Sequence, residues 1–219
     1  YGGAGHDWIW AYVGYSSDNV EKNSTAGWTS EIHGGDGNDY LFAQVETNDL
    51  YGDAGDDNFY AYIDQKTTVS DSEGTDTLNM FDTQTDDASK DNLHVMFNVA
   101  AGYDYDSNNA ETLFNGNVFV TGTATKANYD LWTSGGAFAG VSVVGNAVET
   151  IKSSDNWTLS KENISVLAES VAGWLTTNGY GNVGGVFSNA LEKSAEDSAA
   201  DIQALIVKFD EAAWASPNP

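Results

Sequence analysis

Glycine and aspartate recur at set offsets in the first 60 residues, and this pattern restricts the fold more than any other property of the chain. Gly2-Gly3-Ala4-Gly5-His6-Asp7-Trp8-Ile9-Trp10 is one nonapeptide. Gly34-Gly35-Asp36-Gly37-Asn38-Asp39-Tyr40-Leu41-Phe42 is a second, and Gly52-Asp53-Ala54-Gly55-Asp56-Asp57-Asn58-Phe59-Tyr60 is a third. All fit G-G-x-G-x-D-x-U-x, with U a large apolar residue, except that Asp53 replaces the second Gly of the third copy. Gly74-Thr75-Asp76-Thr77-Leu78 is a degenerate fourth copy. Glycine admits left-handed, closely packed turns. The turn carbonyls and the Asp carboxylate then face one spot and form an oxygen cage. Oxygen donors select a hard cation, and a flexible cage suits Ca²⁺ better than Mg²⁺. The x-U-x that follows is a short strand with U pointing inward.

The spacing agrees with stacked coils. Gly34 and Gly52 are 18 residues apart, two nonapeptides, or one coil of a two-sided roll. Their loops therefore stack on the same side, with a calcium ion between them and Asp39 and Asp57 as carboxylate ligands. The intervening Ala43–Tyr51 keeps an inward apolar residue, Leu50, but has Asn48 where the Asp would be. It is expected to form the far side of the coil, with a poor cation site or none. Gly2 and Gly34 are 32 residues apart, so Asp7 stacks on Asp39 if Gly14–Ser30 contains an insertion of roughly 14 residues. The candidate ligands are Asp7, Asp39 and Asp57, then Asp36 and Asp76, with carbonyls from Gly3, Gly5, Gly35, Gly37 and Gly55.

These motifs resemble the repeats of the RTX (repeats-in-toxin) family of Gram-negative exoproteins, over about 80 of the 219 residues. The family includes pore-forming toxins, proteases, lipases, adhesins and surface-layer proteins. The resemblance implies a parallel β-roll, folding induced by Ca²⁺, and export by type I secretion machinery to the cell exterior or surface. It also implies a secretion signal near the C-terminus.

Charge fits a cation-dependent fold. The chain has 33 acids against 8 bases, all Lys, for a net −25. Nucleic-acid binding needs a basic patch and is excluded, as is a polybasic membrane surface. Residues 1–110 alone hold 21 acids and 3 Lys, a balance of −18 that opposes compaction until cations neutralise it. Apolar residues at 41% and aromatics at 12% still suffice for a core. Without Cys, disulfides and thiolate metal sites are absent. No apolar run approaches the roughly 18 residues of a membrane span. Residue 1 lies inside a motif, so the chain reads as a fragment of a longer polypeptide.

Alternation gives a second feature. Ile9, Leu41 and Phe59 face inward, so Trp10, Phe42 and Tyr60 form an outward ladder that Tyr12 and Tyr62 extend. Downstream chain is expected to cover it, or else it stacks on a ligand such as a sugar. Strands are expected at Leu93–Val99, Asn117–Thr121, Phe138–Val144 and Ala147–Lys152. Asp104-Tyr105-Asp106-Ser107-Asn108 begins like a calcium loop but lacks its later ligands and reads as an acidic turn. From Ser160, a fitting N-cap, three amphipathic helices are expected.

The expected architecture is mainly β with C-terminal helices. Residues 1–82 form a parallel β-roll, 83–155 a small β cap, and 156–219 a helical region where the secretion signal falls. His6 and His33 read as turn residues, and no G-x-S-x-G elbow or other catalytic arrangement is recognisable. The chain is therefore expected to be no enzyme. Its role is expected to be calcium binding that stabilises a secreted toxin, adhesin, surface-layer protein or exoenzyme. Two alternatives stand beside this. One is an adhesin or surface-layer module that binds a glycan, peptide or sister subunit. The other is the non-catalytic tail of a secreted lipase or protease.

Overall fold

The computed structural model describes residues 1–12, 27–82, 88–89, 93–97, 118–122, 139–145 and 147–163. The chain steps alternately between two sheets. Strands β1 (Gly3–Ala4), β3 (Thr29–Asp36), β5 (Thr47–Ala54) and β7 (Lys66–Ser70) lie in one. Strands β2 (Trp8–Tyr12), β4 (Tyr40–Gln44), β6 (Asn58–Tyr62) and β8 (Thr77–Phe81) lie in the other. Every pairing among these eight strands is parallel and in register, so the architecture is that of a β-roll.

Register puts each repeat position on top of its own copy. Ile9, Leu41, Phe59 and Leu78 are consecutive partners across the second sheet, and Leu41, Phe59 and Leu78 are fully buried. Ile32, Leu50 and Val69 form the facing row. Each such side chain contributes about 1.5–3 kcal/mol by leaving water, but only because a coil above and below seals it. The third-to-fourth coil step is 19 residues, as Phe59 pairs with Leu78. The added residue is taken up in the turn of Ile63, Asp64 and Gln65 between β6 and β7.

Asn48 does take the place of an Asp on the far side. It is fully buried and saturated with hydrogen bonds. Its Nδ2 donates to Val45 O (2.9 Å) and to Thr67 Oγ1 (3.2 Å), and its Oδ1 accepts from Ser30 Oγ (2.8 Å). A neutral amide can be satisfied inside the roll by protein alone.

The C-terminal end is closed by a change of strand direction. Strands β11 (Gly140–Val144) and β12 (Thr150–Lys152) add in parallel to β7 and β8 and so continue the roll. Strands β10 (Val118–Thr121), β9 (His94–Phe97) and β13 (Thr158–Ser160) then pair antiparallel, with β9 and β13 as the sheet edges. All four strands expected downstream are present within the spans read from sequence. The N–H of Asn163 donates to Ser160 Oγ (3.2 Å), the bond an N-cap makes. The expected Asp104–Asn108 turn, most of the Gly14–Ser30 span read as containing an insertion, and nearly all of the helical region expected from Ser160 lie outside the described residues. No helix among the described residues is long and apolar enough to cross a membrane.

The two outer faces differ in chemistry. The first sheet shows solvent Glu31, His33, Asp49, Lys66 and Thr68. The outward positions of β2, β4, β6 and β8 carry no charge at all. There Trp10 stacks on Phe42 (ring centroids 4.3 Å apart) and Phe42 on Tyr60 (4.1 Å), as the alternation predicts. Trp8 stacks on Tyr40 at 4.5 Å beside them. Tyr62 meets Phe81, whereas Tyr12 pairs with Gln44 and adds no ring to the stack.

Candidate metal centre

The Gly-Asp turns all lie at the edge where the chain crosses from the first sheet to the second. Asp7, Asp39, Asp57 and Asp76 each immediately precede a strand, or stand one residue before it, and the strand register stacks them. Each backbone then reads the next carboxylate. Asp7 N–H donates to Asp39 Oδ1 (2.7 Å), Asp39 N–H to Asp57 Oδ1 (2.7 Å), and Asp57 N–H to Asp76 Oδ1 (2.8 Å). Asp76 N–H donates in turn to Glu149 Oε2 (2.8 Å), so a Glu from the cap ends the ladder. Glu149 Oε1 is paired with Lys161 Nζ at 3.4 Å.

A second ladder runs beside the first. Asn38 N–H donates to His6 Nδ1 (2.9 Å), Asp56 N–H to Asn38 Oδ1 (3.1 Å), and Thr75 N–H to Asp56 Oδ1 (2.9 Å). His6 is thus a turn residue. His33, read from sequence as a turn residue, lies instead within β3, on the outer face between Glu31 and Asp53 at 3.2 Å from each.

One oxygen each of Asp39, Asp57 and Asp76 is therefore used as an acceptor. Oδ2 of Asp7, Asp39, Asp57 and Asp71 is buried and has no hydrogen-bond partner. A buried, ionised oxygen without a partner is strongly unfavourable in a folded protein. Space is kept beside these atoms by glycine. A Cβ at Gly34 would meet Asp39 Oδ2 and the Gly52 carbonyl, and one at Gly52 would meet Oδ2 of both Asp57 and Asp71. Glycines at the fourth repeat position stack so closely that a Cβ at Gly55 would meet the Gly37 carbonyl, both residues having φ of +128°. Asp53 adopts φ of +74° where the other copies have Gly, a conformation Asp tolerates.

Three carboxylates converge at the fourth coil. One oxygen each from Asp57, Asp71 and Asp76 lies within 4.8 Å of the others. Burial first, then the neighbouring carboxylates, push Asp57 and Asp76 up to about 7. Burial likewise raises Asp71. The donors in this group are carboxylate oxygens, which fit a hard divalent cation.

Of the residues read as ligands from sequence, Asp7, Asp39, Asp57 and Asp76 are brought into one ladder. Asp36 sits exposed at the end of β3. Gly5, Gly37 and Gly55 lie in the turns and Gly3 and Gly35 in the ends of β1 and β3, all with positive φ. Asp71 and Glu149 carry no repeat signature of their own. Asp71 precedes Asp76 by five residues, as Gly52 precedes Asp57, and that offset is the one signal for it. Compared with known proteins, the chain matches no family model, no curated relative and no solved structure.

Proposed function

We propose that the chain is a calcium-binding RTX module of a secreted bacterial protein, folding on Ca²⁺ outside the cell after type I secretion. The observation that carries this reading is the row of buried aspartates whose second oxygens have no partner within the protein. Asp7, Asp39, Asp57, Asp71 and Asp76 would hold the ions, with turn carbonyls completing each shell. A bound cation would supply the positive charge these oxygens lack. Two like charges 4.8 Å apart, the upper separation in the triad, repel by about 3.5 kcal/mol at an effective dielectric near 20. Without the cation this repulsion opposes the fold. With it, binding free energy becomes folding free energy. The role needs no catalysis and suits a stabilising module of a toxin, adhesin, surface-layer protein or exoenzyme.

Titration calorimetry tests the reading. Saturable Ca²⁺ binding is expected, with Kd values of about 10⁻⁴–10⁻³ M or tighter, as in extracellular calcium modules, and weak competition by Mg²⁺. No binding at calcium on the order of 10 mM, well above that range, overturns it.

A second reading concerns the uncharged face and is favoured by its exposed rings. Trp8, Trp10 and Tyr12 are 64%, 60% and 63% exposed along one edge strand. Gln44, Asn58 and Asn79 stand on the same face. Rings interleaved with amides, and free of charge, suit a neutral glycan, which offers apolar ring faces and hydroxyls together. Affinity electrophoresis through neutral polysaccharides should retard the chain, and Trp10→Ala should abolish the retardation. Unchanged migration in every neutral polysaccharide removes this reading.

A further inference from the structure

We infer that the fourth coil holds the tightest of the cation sites, because Asp71 adds a carboxylate there, and that this site fills first. The inference rests on the calcium reading and concerns how the sites differ. In the first three coils, the position five residues before the ladder Asp is Gly2, Gly34 or Gly52. In the fourth it is Asp71, and the register Tyr51 to Ser70 sets Asp71 beside Gly52. Asp71 thus adds a carboxylate where the other coils have only space.

Its orientation is fixed locally. Asp71 Oδ1 accepts the N–H groups of Ser72 (2.5 Å) and Glu73 (3.2 Å), which leaves Oδ2 buried and unpartnered. The other two members of the site are among the most buried side chains of the chain, Asp57 at 1% and Asp76 at 3% exposure. Asp57 Oδ2 is also unpartnered. Between the second and third coils the ladder offers Asp39 and Asp57 with glycines beside them. Between the third and fourth it offers three carboxylates. Affinity for Ca²⁺ rises with the number of charged ligands and with the rigidity of the site.

The same site is bound to the cap. Asp76 donates its N–H to Glu149, and its carbonyl accepts the N–H groups of Glu149 (3.1 Å) and Thr150 (3.2 Å). Asp76 and Glu149 are 73 residues apart in the chain. Ordering Asp76 around a cation therefore fixes the start of β12 and closes that long loop.

Calcium titration of Asp71→Gly tests this, because Gly is the residue that fills the same place in the other coils. Asp71→Asn is its companion, keeping the Oδ1 acceptor while removing the charge. In both, the Kd of the tightest class should rise about 10- to 100-fold, and the calcium midpoint for strand formation should rise with it. Asp7→Asn in the first coil should leave the tightest Kd within about twofold. If the Asp71 variants keep the wild-type tight Kd while calcium still folds the chain, the loading order is wrong and the calcium reading stands. If wild-type chain binds no calcium, both fall.

Discussion

Chelating divalent cations near pH 8 is expected to abolish most of the strand signal of residues 1–82 in circular dichroism. Asp57, Asp71 and Asp76 lie within 4.8 Å of one another, and their repulsion has no internal remedy. Asp57 and Asp76 ionise only near pH 7 in the fold, against 3.8 for a free carboxyl, chiefly because they are buried. Holding these carboxyls ionised in such a place is strongly unfavourable, and the two share part of that cost through their mutual repulsion. The sign follows from linkage: a raised folded pKa adds stability that is full below 3.8 and is lost as pH rises through about 7. The cation-free chain should therefore regain strand signal on acidification from about pH 8 to about pH 5. Calcium affinity should move the opposite way, falling as the ligands take up protons. Full strand signal in chelator near pH 8 would refute the folding switch. No recovery on acidification would show that carboxylate repulsion is not its cause.

Gly52→Ala is expected to disable the fourth-coil site. The new methyl group would meet Oδ2 of Asp57 and of Asp71, and stand 3.0 Å from Phe59 Cζ. None of the three can simply move. Asp57 is held by the Asp39 N–H, Asp71 by the N–H groups of Ser72 and Glu73, and Phe59 is fully buried between Leu41 and Leu78. Overpacking of this kind costs about 1–3 kcal/mol. Displacing the carboxylates should weaken calcium binding at this site by a further 10- to 100-fold, roughly the penalty seen when groups supporting a metal site are lost. Calorimetry and a calcium-dependent melt measure both. Ser72→Ala, in the exposed part of the same turn, should change stability by no more than about 0.5 kcal/mol. A Gly52→Ala chain that binds calcium and melts like wild type would show that the space beside these carboxylates holds no ion.

The sequence alone determined the coil, its period, its inward residues and most of its acidic ladder. In a parallel stack each residue packs on its own copy in the next coil, so the information is local and repeats. Ile9, Leu41, Phe59 and Asp7, Asp39, Asp57 could be placed from offsets alone, and the register bears those placements out. The aromatic row of Trp10, Phe42 and Tyr60 follows from the same translation. The tertiary structure decided what breaks the period. Asp36 shares the repeat's acidity, but strand direction turns it to solvent. Asp71 joins the ladder only because the turn at Ile63–Gln65 absorbs one residue and brings β7 into register with β5. Glu149 ends the ladder from 73 residues away, and antiparallel strands close the roll beside it. Such contacts occur once, between segments that share no pattern. They are set by how the chain closes a long loop around its charged edge, and only Asp71, by its offset of five residues from Asp76, leaves a trace in the sequence.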